Sequence, residues 1–289
     1  MADQTNQKQE SMQGKHVLMT GGNSGIGKIA AIRLAKLGAK VILACRAGEK
    51  TEEALSEINQ VAVDRAVNLK VDLGSLGSVR ALADSYLSQF SRLDILINNA
   101  GILPSKQRIT EDGFEMQFGV NHLSHFLLTL QLLDLLKVSQ PSRIITVSSM
   151  LHKKGSIDFG NFRGEKKYDM QKAYGQSKLA NVLFAFELAL RLKGSGVTSN
   201  VLHPGGVRTD IMRDLPWLVR KMANLIFITP EEGAKTTIML ASDPLLTGVS
   251  GEYYDQTKPA QYSDLVQDEA LRKRLWQEKG QKGGGSGSW

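Results

Sequence analysis

The chain has 289 residues, of which 42% are hydrophobic and 22% charged, values that are ordinary for a globular protein of one large or two small domains. A formal net charge of +7 suits ligands that carry phosphate, but the absence of arginine-rich or basic-aromatic runs excludes nucleic acid as the expected partner. The single cysteine, Cys45, excludes an internal disulfide and a metal site built from cysteines.

The two ends of the chain differ in composition from the rest. Residues 1–14 are polar and lack the apolar core of a signal peptide, and residues 278–289 are rich in glycine and serine. We predict flexible tails there, flanking a single domain over residues 15–277. No apolar run reaches the roughly 18 to 20 residues that cross a bilayer. We therefore predict a cytoplasmic protein without a transmembrane anchor.

Short apolar runs alternate with helical patterns along the predicted domain. The runs that predict strands are KHVLMT, AKVILACR, AVNLKVDL, LDILINNAG, SRIITVSS, VTSNVLHPG and GEYYDQ. The segments with helical spacing are GKIAAIRLAKLG, EKTEEALSEIN, SLGSVRALADSYLSQF, FEMQFGVNHLSHFLLTLQLLDLLK, YGQSKLANVLFAFELALRLKG and TPEEGAKTTIMLASDP. This order predicts an α/β fold, a Rossmann-type doubly wound parallel sheet of about seven strands with helices on both faces.

A glycine-rich stretch, TGGNSGIG at residues 20–27, joins the first strand to the first helix. Gly21, Gly25 and Gly27 allow a sharp turn and a close approach to phosphate, while the helix N-terminus offers free N–H groups. The spacing differs from the common dinucleotide fingerprint, so the stretch alone also fits a tight turn. Its place between a strand and a helix favours a pyrophosphate site.

Tyr174 and Lys178 lie four residues apart in a strongly helical segment, so that both side chains share one face of the helix. A free tyrosine has a pKa of about 10. A nearby ammonium and a positively charged nicotinamide favour the phenolate and are expected to lower that pKa, so that Tyr174 exchanges a proton with an alcohol or a carbonyl oxygen. Taken alone, the pair also fits a solvated helix face.

Four motifs follow one another between about residue 14 and residue 251: TGGNSGIG, NNAG, YGQSK and HPGGVRTD. Together they resemble the short-chain dehydrogenase/reductase family. The segments VNHLSHFLLT and YGQSKLANVLFAFELALRL are similar to its retinol dehydrogenase-like branch. The resemblance implies an oxidoreductase that acts on CH–OH and C=O groups, with a nicotinamide cofactor that carries the hydride.

The end of the second strand indicates which nicotinamide cofactor binds. NAD enzymes usually place a carboxylate there, whereas this chain has Cys45 followed by Arg46. A guanidinium can donate paired hydrogen bonds to a 2′-phosphate, and Ser24 could add another. We therefore predict NADP(H), against the alternative that Arg46 is a solvated surface residue.

The resemblance implies further contacts along the cofactor. Asp72 matches an aspartate that contacts adenine, NNAG passes alongside the cofactor, and HPGGVRTD meets the nicotinamide carboxamide. The predicted cofactor-binding residues are Gly21, Asn23, Ser24, Gly25, Ile26, Gly27, Arg46, Asp72, Leu73, Asn98, Ala100, Gly101, Tyr174, Lys178, Pro204, Gly205, Val207 and Thr209. A purely structural contact and a simple turn are the alternatives for NNAG and for HPGG.

The predicted catalytic residues are Asn121, Ser149, Tyr174 and Lys178. The resemblance implies that Ser149, rather than the competing Ser148, orients the substrate oxygen. It also implies that Asn121 holds a water that passes protons onward from the lysine, and that Lys178 holds the ribose hydroxyls.

Two segments are predicted to form the substrate-binding region, residues 150–173 and residues 210–232. The first is a long insertion similar to one in the retinol dehydrogenase-like branch, and the second is rich in large apolar residues. Apolar side chains imply an apolar substrate: a retinal-like or other aldehyde, a steroid or a xenobiotic ketone. The second segment also fits a helix packed on the core, or one in peripheral contact with a membrane.

Two other functions stay open at this point. One is the reduction of a ring double bond, as in protochlorophyllide reductases, which rely on extra cysteines. The other is a non-catalytic NADP-binding sensor or scaffold, a class that typically loses the tyrosine or the lysine. No metal site is predicted, because His122 and His125 have no apparent third ligand.

A homodimer or homotetramer is predicted from the two most apolar helical segments, which contain NHLSHFLLTLQLLDLLK and SKLANVLFAFELALRL. In the family that this sequence resembles, subunits often associate through these two helices. Burial inside a monomer would explain much of the same apolar pattern.

Overall fold

A computed structural model describes residues 11–206 and 228–282. Its strands are β1 (His16–Thr20), β2 (Lys40–Cys45), β3 (Val67–Lys70), β4 (Ile95–Asn98), β5 (Ser142–Val147), β6 (Val197–His203), β7 (Tyr253–Asp255) and β8 (Lys258–Pro259). They form one sheet in the order β3-β2-β1-β4-β5-β6-β7-β8, parallel except for the last pair. The predicted α/β fold is confirmed, with one more strand than expected.

The helices cover both faces of this sheet. They are α1 (Gly25–Lys36), α2 (Glu49–Asn59), α3 (Leu76–Gln89), α4 (Met116–Phe118), α5 (Ser124–Gln131), α6 (Leu133–Val138), α7 (Met170–Arg191), α8 (Pro230–Ser242) and α9 (Glu269–Lys282). One hydrophobic cluster contains residues of α1 and α8, and the other contains residues of α3, α5 and α7. Burial on both faces explains why the central strands read as unbroken apolar runs.

Strand order reverses between β1 and β4, which lie side by side in the sheet. The chain runs outward from β1 to β3, then returns to place β4 on the other side of β1. In sheets of this type, ligands bind in a crevice outside the carboxyl ends of the two strands where the order reverses, here β1 and β4. This topology brings the glycine stretch beside NNAG.

The predicted long helix over FEMQFGVNHLSHFLLTLQLLDLLK is wrong in its continuity. A π-helical turn, Gly119–Leu123, separates α4 from α5, and a break at Leu132 separates α5 from α6. The Ser124 N–H donates to the carbonyl of Gly119, five residues earlier, as a π-helix requires. An apolar pattern does not reveal a single extra residue in a turn, so the sequence predicted a regular helix.

The last two elements, β8 and α9, were not predicted. β7 and β8 form a hairpin whose two turn residues, Gln256 and Thr257, both have positive φ angles, 45° and 72°. Such turns normally contain Asn, Asp or Gly, so the sequence carries no turn signal here. α9 continues to Lys282, beyond the predicted tail boundary at residue 278. Within the other predicted tail, Met12 is buried and its N–H donates to Leu37.

Helix α9 packs on α5 and α7 through aromatic contacts. The Trp276 ring lies 5.1 Å from that of Phe126 and 6.0 Å from that of Phe184, measured between centroids. The Arg191 guanidinium lies over the same indole at 4.3 Å. Part of the apolar face that favoured pairing of two chains is therefore covered by the chain itself. Across the described ranges, no helix combines the length and the apolar character that a membrane crossing requires.

Candidate active site

Helix α7 carries Tyr174 and Lys178 on one face, as their spacing predicted. It begins where the Asp169 carboxylate accepts hydrogen bonds from the N–H groups of Gln171 and Lys172, each at 3.0 Å. Tyr174 and Lys178 are 9% and 2% exposed. The Lys178 Nζ atom lies 5.6 Å from the centroid of the Tyr174 ring. The structure therefore brings the predicted acid–base pair together below the surface.

Two glycines set the distance between α7 and the chain that follows β5. A Cβ atom on Gly155 would lie 2.4 Å from the carbonyl oxygen of Gly175, and one on Gly175 would lie 3.2 Å from that of Leu151. Side chains at these positions would push the two segments apart. Since Gly175 follows Tyr174 directly, this contact keeps Tyr174 close to the turn that begins at Ser149.

The two serines at the end of β5 have different partners. The Ser148 hydroxyl is buried and donates to the Lys178 carbonyl at 2.8 Å. Ser149 is half-buried, and its interaction with the Tyr174 phenol lowers the pKa of that phenol. Its Oγ atom also accepts from the Leu151 N–H at 3.3 Å. Of the two, Ser149 is the one beside the phenol, which is where a substrate-orienting hydroxyl is needed.

Burial dominates the proton affinities of the pair. It raises the pKa of Tyr174 to about 12, against a hydrogen bond with Ser149 that lowers it. It lowers the pKa of Lys178 to about 8. The ammonium of Lys178 alone therefore does not bring the pKa of Tyr174 below its usual value. The Lys178 ammonium donates to the Val147 carbonyl at 3.1 Å and does not compensate for the burial of the phenol.

Asn121 lies in the π-helical turn and is fully buried. Its side chain pairs with the backbone of Ile102, accepting from the N–H at 2.8 Å and donating to the carbonyl at 3.1 Å. It also donates to the Ser177 hydroxyl on α7, at 3.0 Å. The Asn121 carbonyl accepts from Asn181, again on α7, at 3.0 Å. Asn121 thus connects the catalytic helix to the chain after NNAG.

The glycine stretch forms a tight loop that leads directly into α1. Gly21 and Gly25 have φ angles of 66° and 50°, in the region that favours glycine. A Cβ atom on Gly27 would lie only 2.3 Å from the Gly21 carbonyl oxygen, so no side chain fits there. Ser24 precedes α1 and its side chain makes no capping hydrogen bond to the helix. The first-turn N–H groups of α1, at Gly25, Ile26 and Gly27, therefore face the crevice without a side-chain cap, which suits an anion.

The loop after β4 is tied to this glycine loop by a residue that sequence reasoning missed. The Asn99 side chain donates to the carbonyls of Thr20 and Gly21, at 2.9 and 3.2 Å. The predicted neighbour Asn98 points elsewhere, into the core, where it donates to the Thr129 hydroxyl at 3.0 Å. A pair of adjacent asparagines gives no sequence signal for which side chain faces the loop, except that alternation along a strand puts them on opposite sides.

The backbone N–H groups of Asn99 and Ala100 both donate to the Thr20 hydroxyl, at 3.0 Å. Ala100 also leaves no room for a side chain at Gly21, because a Cβ atom on Gly21 would lie 3.0 Å from the Ala100 Cα atom. Ala100 and Gly101 are half-buried where the chain leaves β4. The predicted structural contact between NNAG and the glycine loop is thus present, at the mouth of the crevice.

Arg46 follows β2 and is exposed, as a reader of a bound phosphate must be. A buried hydroxyl, Thr51, donates to the Arg46 carbonyl at 2.7 Å and accepts from the Asn23 side chain at 2.8 Å. Thr51 therefore links the backbone of Arg46 to the glycine loop by hydrogen bonds. Burial raises the pKa of the Cys45 thiol beside them.

The remaining predicted cofactor residues lie at other strand ends. Asp72 is exposed after β3, and its carboxylate accepts from the Gly74 N–H at 2.8 Å, while Leu73 packs against the core. Pro204 and Gly205 are buried after β6, and Gly205 has a φ angle of 92°. Val207 and Thr209 lie outside the described residues, as does most of the predicted substrate segment 210–232.

The insertion at residues 150–173 lies against α4 and the loop after NNAG. The Phe162 ring stacks on Phe118 with centroids 4.2 Å apart. The Tyr168 hydroxyl donates to the Pro104 carbonyl at 2.6 Å and accepts from Gln117 at 2.8 Å. These contacts fix the insertion beside the chain that leaves the crevice, which fits its predicted place in the substrate-binding region.

His122 and His125 point to different partners. His122 Nδ1 lies 2.8 Å from the Asn181 side chain, whereas His125 Nε2 lies 2.8 Å from the Thr20 hydroxyl. Within residues 11–206 and 228–282, no group of three or more His, Cys, Asp and Glu side chains could hold a metal ion.

A family model described as short chain dehydrogenase matches residues 15–217. The chain belongs to the short-chain dehydrogenase family. It is 48% identical over 285 residues to human (Homo sapiens) retinol dehydrogenase 14, covering 92% of this chain and 85% of that protein. The predicted likeness to the retinol dehydrogenase branch is confirmed. As a member of this family, the chain is an oxidoreductase that acts on CH–OH and C=O groups.

Solved structures of the family share the fold. An uncharacterized protein from Mycobacterium Paratuberculosis is 34% identical, with a TM-score of 0.79 and 96% of each chain covered. The RhlG protein of Pseudomonas aeruginosa, solved as an NADP active-site complex, is 28% identical with a TM-score of 0.69. That match covers 85% of this chain and 95% of that one.

Buried neutral histidines predict a loss of stability in mild acid. Burial lowers the pKa of His125 and of His203 to about 4, and it also lowers the pKa of His152. An unfolded histidine has a pKa of about 6.5. Below that value the unfolded chain binds protons that the folded chain does not, so the free energy of unfolding falls as pH decreases from about 6.5 towards about 4.

We expect the urea concentration at the midpoint of unfolding to decrease when the pH is lowered from about 7.5 to about 5.5. Ordinary carboxyl groups stay charged over this range. The variant His203→Gln should show a weaker dependence on pH, because one of these groups is gone. A midpoint that stays constant over this window in the unchanged chain would contradict the prediction.

Proposed function

We propose that the chain is an NADP(H)-dependent oxidoreductase that interconverts an alcohol and a carbonyl on an apolar small molecule. The observation that carries this proposal is the contact of Ser149 with Tyr174, above the buried ammonium of Lys178 and at the carboxyl edge of the sheet. A hydroxyl that can orient an oxygen therefore lies beside a phenol that can exchange a proton with it. The substrate classes are retinal-like and other aldehydes, steroids and xenobiotic ketones.

Each catalytic side chain has a role that follows from its contacts. Ser149 donates a hydrogen bond to the substrate oxygen and holds it beside Tyr174. Tyr174 gives its proton to that oxygen when a carbonyl is reduced, and takes one back when an alcohol is oxidised. With its pKa raised to about 12 by burial, the phenol holds its proton at neutral pH. The bound nicotinamide supplies or accepts the hydride at carbon.

The glycine loop and Arg46 fit a dinucleotide that carries a 2′-phosphate. The loop has bare backbone at Gly21 and Gly27, where a Cβ atom would collide with neighbouring backbone, and the free N–H groups of α1 lie directly behind it. Arg46 is exposed at the end of β2, where no carboxylate stands to repel a phosphate. The NADP complex of the RhlG protein supports the choice of NADP(H) over NAD(H).

The apolar nature of the substrate is supported by two observations. The name of the human relative, retinol dehydrogenase 14, refers to an apolar alcohol. The insertion at residues 150–173, predicted as part of the substrate-binding region, is apolar in part, with the rings of Phe159 and Phe162 in contact at 5.6 Å between centroids. Contacts of Val207 and Thr209 with the cofactor, and a place for residues 210–232 in the substrate-binding region, remain part of the proposal. The cytoplasmic location remains a prediction, and peripheral membrane contact through that segment remains its alternative.

Replacement of Tyr174 by Phe tests the acid–base role. We expect kcat for NADPH-driven reduction of retinal, medium-chain aldehydes or ketones to fall by about 100-fold or more. The dissociation constant of NADPH should stay within about twofold. The matched control is Tyr86→Phe, which removes a phenol that donates to the Arg92 carbonyl far from the site. Turnover that survives in Tyr174→Phe would contradict the assignment. If neither the unchanged chain nor Tyr174→Phe turns over a substrate although both bind NADPH, a non-catalytic sensor is favoured.

Replacement of Arg46 by Ala tests the choice of cofactor. Loss of charge-assisted hydrogen bonds to a 2′-phosphate should raise the KM for NADPH by about 10- to 100-fold. The KM for NADH should change by less than about twofold, because NADH lacks that phosphate. Arg65→Ala, at another exposed arginine, serves as the control. An equal effect on both cofactors would show that Arg46 does not read the phosphate.

The predicted homodimer or homotetramer is tested by light scattering. Pairing through α5 and α7 should give a mass of two or four times 31.7 kDa at micromolar concentration. Leu190 on α7 is 59% exposed and available for such a contact, although α9 covers the neighbouring Phe184. A single species near the mass of one chain would exclude the oligomer.

A further inference from the structure

A chain of buried hydrogen bonds joins the glycine loop to the catalytic asparagine through His125. The Thr20 Oγ1 atom lies 2.8 Å from His125 Nε2, and His125 Nδ1 lies 3.0 Å from the Asn121 carbonyl oxygen. Thr20 and His125 are 0% and 1% exposed. Thr20 is the first residue of the glycine stretch, and Asn121 lies in the π-helical turn. His125 therefore connects the glycine loop to the π-helical turn from within the buried core.

The positions of the protons in this chain follow from counting donors and acceptors. Two backbone N–H groups of the loop after β4 already donate to the Thr20 hydroxyl and use its two lone pairs. The hydroxyl proton has His125 Nε2 at 2.8 Å, and the Ile97 carbonyl only at 3.5 Å. Nε2 therefore accepts this proton. The imidazole must then carry its own proton on Nδ1, which donates it to the Asn121 carbonyl.

The imidazole keeps this single arrangement because it stays neutral. A protonated ring would carry a hydrogen on Nε2 and could no longer accept from Thr20. Burial and the nearby charge of Lys178 lower the pKa of His125 to about 4, against a hydrogen bond to the Asn121 carbonyl that raises it. At neutral pH, His125 is thus a fixed bridge with one donor end and one acceptor end.

We propose that His125 is a positioning residue that holds the glycine loop and the Asn121 carbonyl in one fixed arrangement, so that the cofactor loop and the catalytic helix move as a unit. It touches neither substrate nor cofactor, and acts through Thr20 and Asn121. The kinetic part of this inference rests on the proposed function, which gives those two partners their roles in cofactor binding and proton transfer.

Two substitutions separate the two ends of the bridge. In His125→Asn, the side-chain amide nitrogen replaces Nδ1 and keeps the donor to Asn121, while the contact with Thr20 is lost. In His125→Gln, the longer side chain reaches towards Thr20 in place of Nε2, while the donor to Asn121 is lost. A third variant, His16→Asn, changes a histidine at the amino end of β1, away from the carboxyl ends of the strands, and serves as the control.

The two variants should differ in which kinetic constant changes. His125→Asn should raise the dissociation constant and the KM for NADPH by about tenfold, with kcat within about threefold, because the cofactor loop loses its support. His125→Gln should lower kcat by about tenfold, with a smaller effect on NADPH binding. Equal losses in both constants for both variants, or no loss in either, would overturn the proposal.

A measurement on the unchanged chain decides the geometry without any turnover. Long-range proton–nitrogen NMR on the chain labelled uniformly with ¹³C and ¹⁵N, with His125 assigned from its backbone resonances, should show its imidazole as the neutral Nδ1–H tautomer at about pH 7 and still at about pH 6. The Nε2–H tautomer, or a charged imidazole at pH 6, would overturn the bridge even if the variants failed to fold. If this tautomer is found but no carbonyl substrate is turned over, the proposed function fails and the bridge stands.

Discussion

Burial of the Lys178 ammonium is the constraint on which the rest of the site depends. A charge that is only 2% exposed is costly unless polar groups surround it. Its Nζ atom donates to the Val147 carbonyl at the end of β5, and the Ser148 hydroxyl donates back to the Lys178 carbonyl. These two bonds lock α7 onto the carboxyl end of β5. The next residue, Ser149, consequently meets Tyr174.

The same edge of the sheet is held by backbone contacts that tolerate no side chain. Gly27 approaches the carbonyl of Gly21, and Gly155 approaches that of Gly175. Polar side chains fill the places between these contacts, with Asn99 and Asn121 each pairing with the backbone of another segment. The edge of the sheet that carries Tyr174 and Lys178 is therefore held largely by main-chain contacts.

The sequence predicted the features that depend on composition and spacing. The alternation of apolar runs and helical patterns indicated the parallel sheet, and the spacing of Tyr174 and Lys178 placed them on one helix face. Features that depend on tertiary contact were beyond it. Burial controls the pKa of Tyr174, a single surplus residue makes the π-helical turn, and the hairpin at Gln256 and Thr257 lacks the usual turn residues. Packing, rather than local preference, decides each of these.

The π-helical turn has a consequence for how this chain can change over evolutionary time. A π-turn is an α-helix with one surplus residue, and each residue advances a helix by about 100°. Deleting a residue between Gly119 and Leu123 would restore regular helical hydrogen bonding locally. It would also rotate all of α5, so that Thr129 would leave Asn98 and the face packed on α3 would turn away. The π-helical turn is therefore a position where the number of residues is fixed by the packing of α5. Insertions and deletions should be tolerated more readily at other positions of the chain.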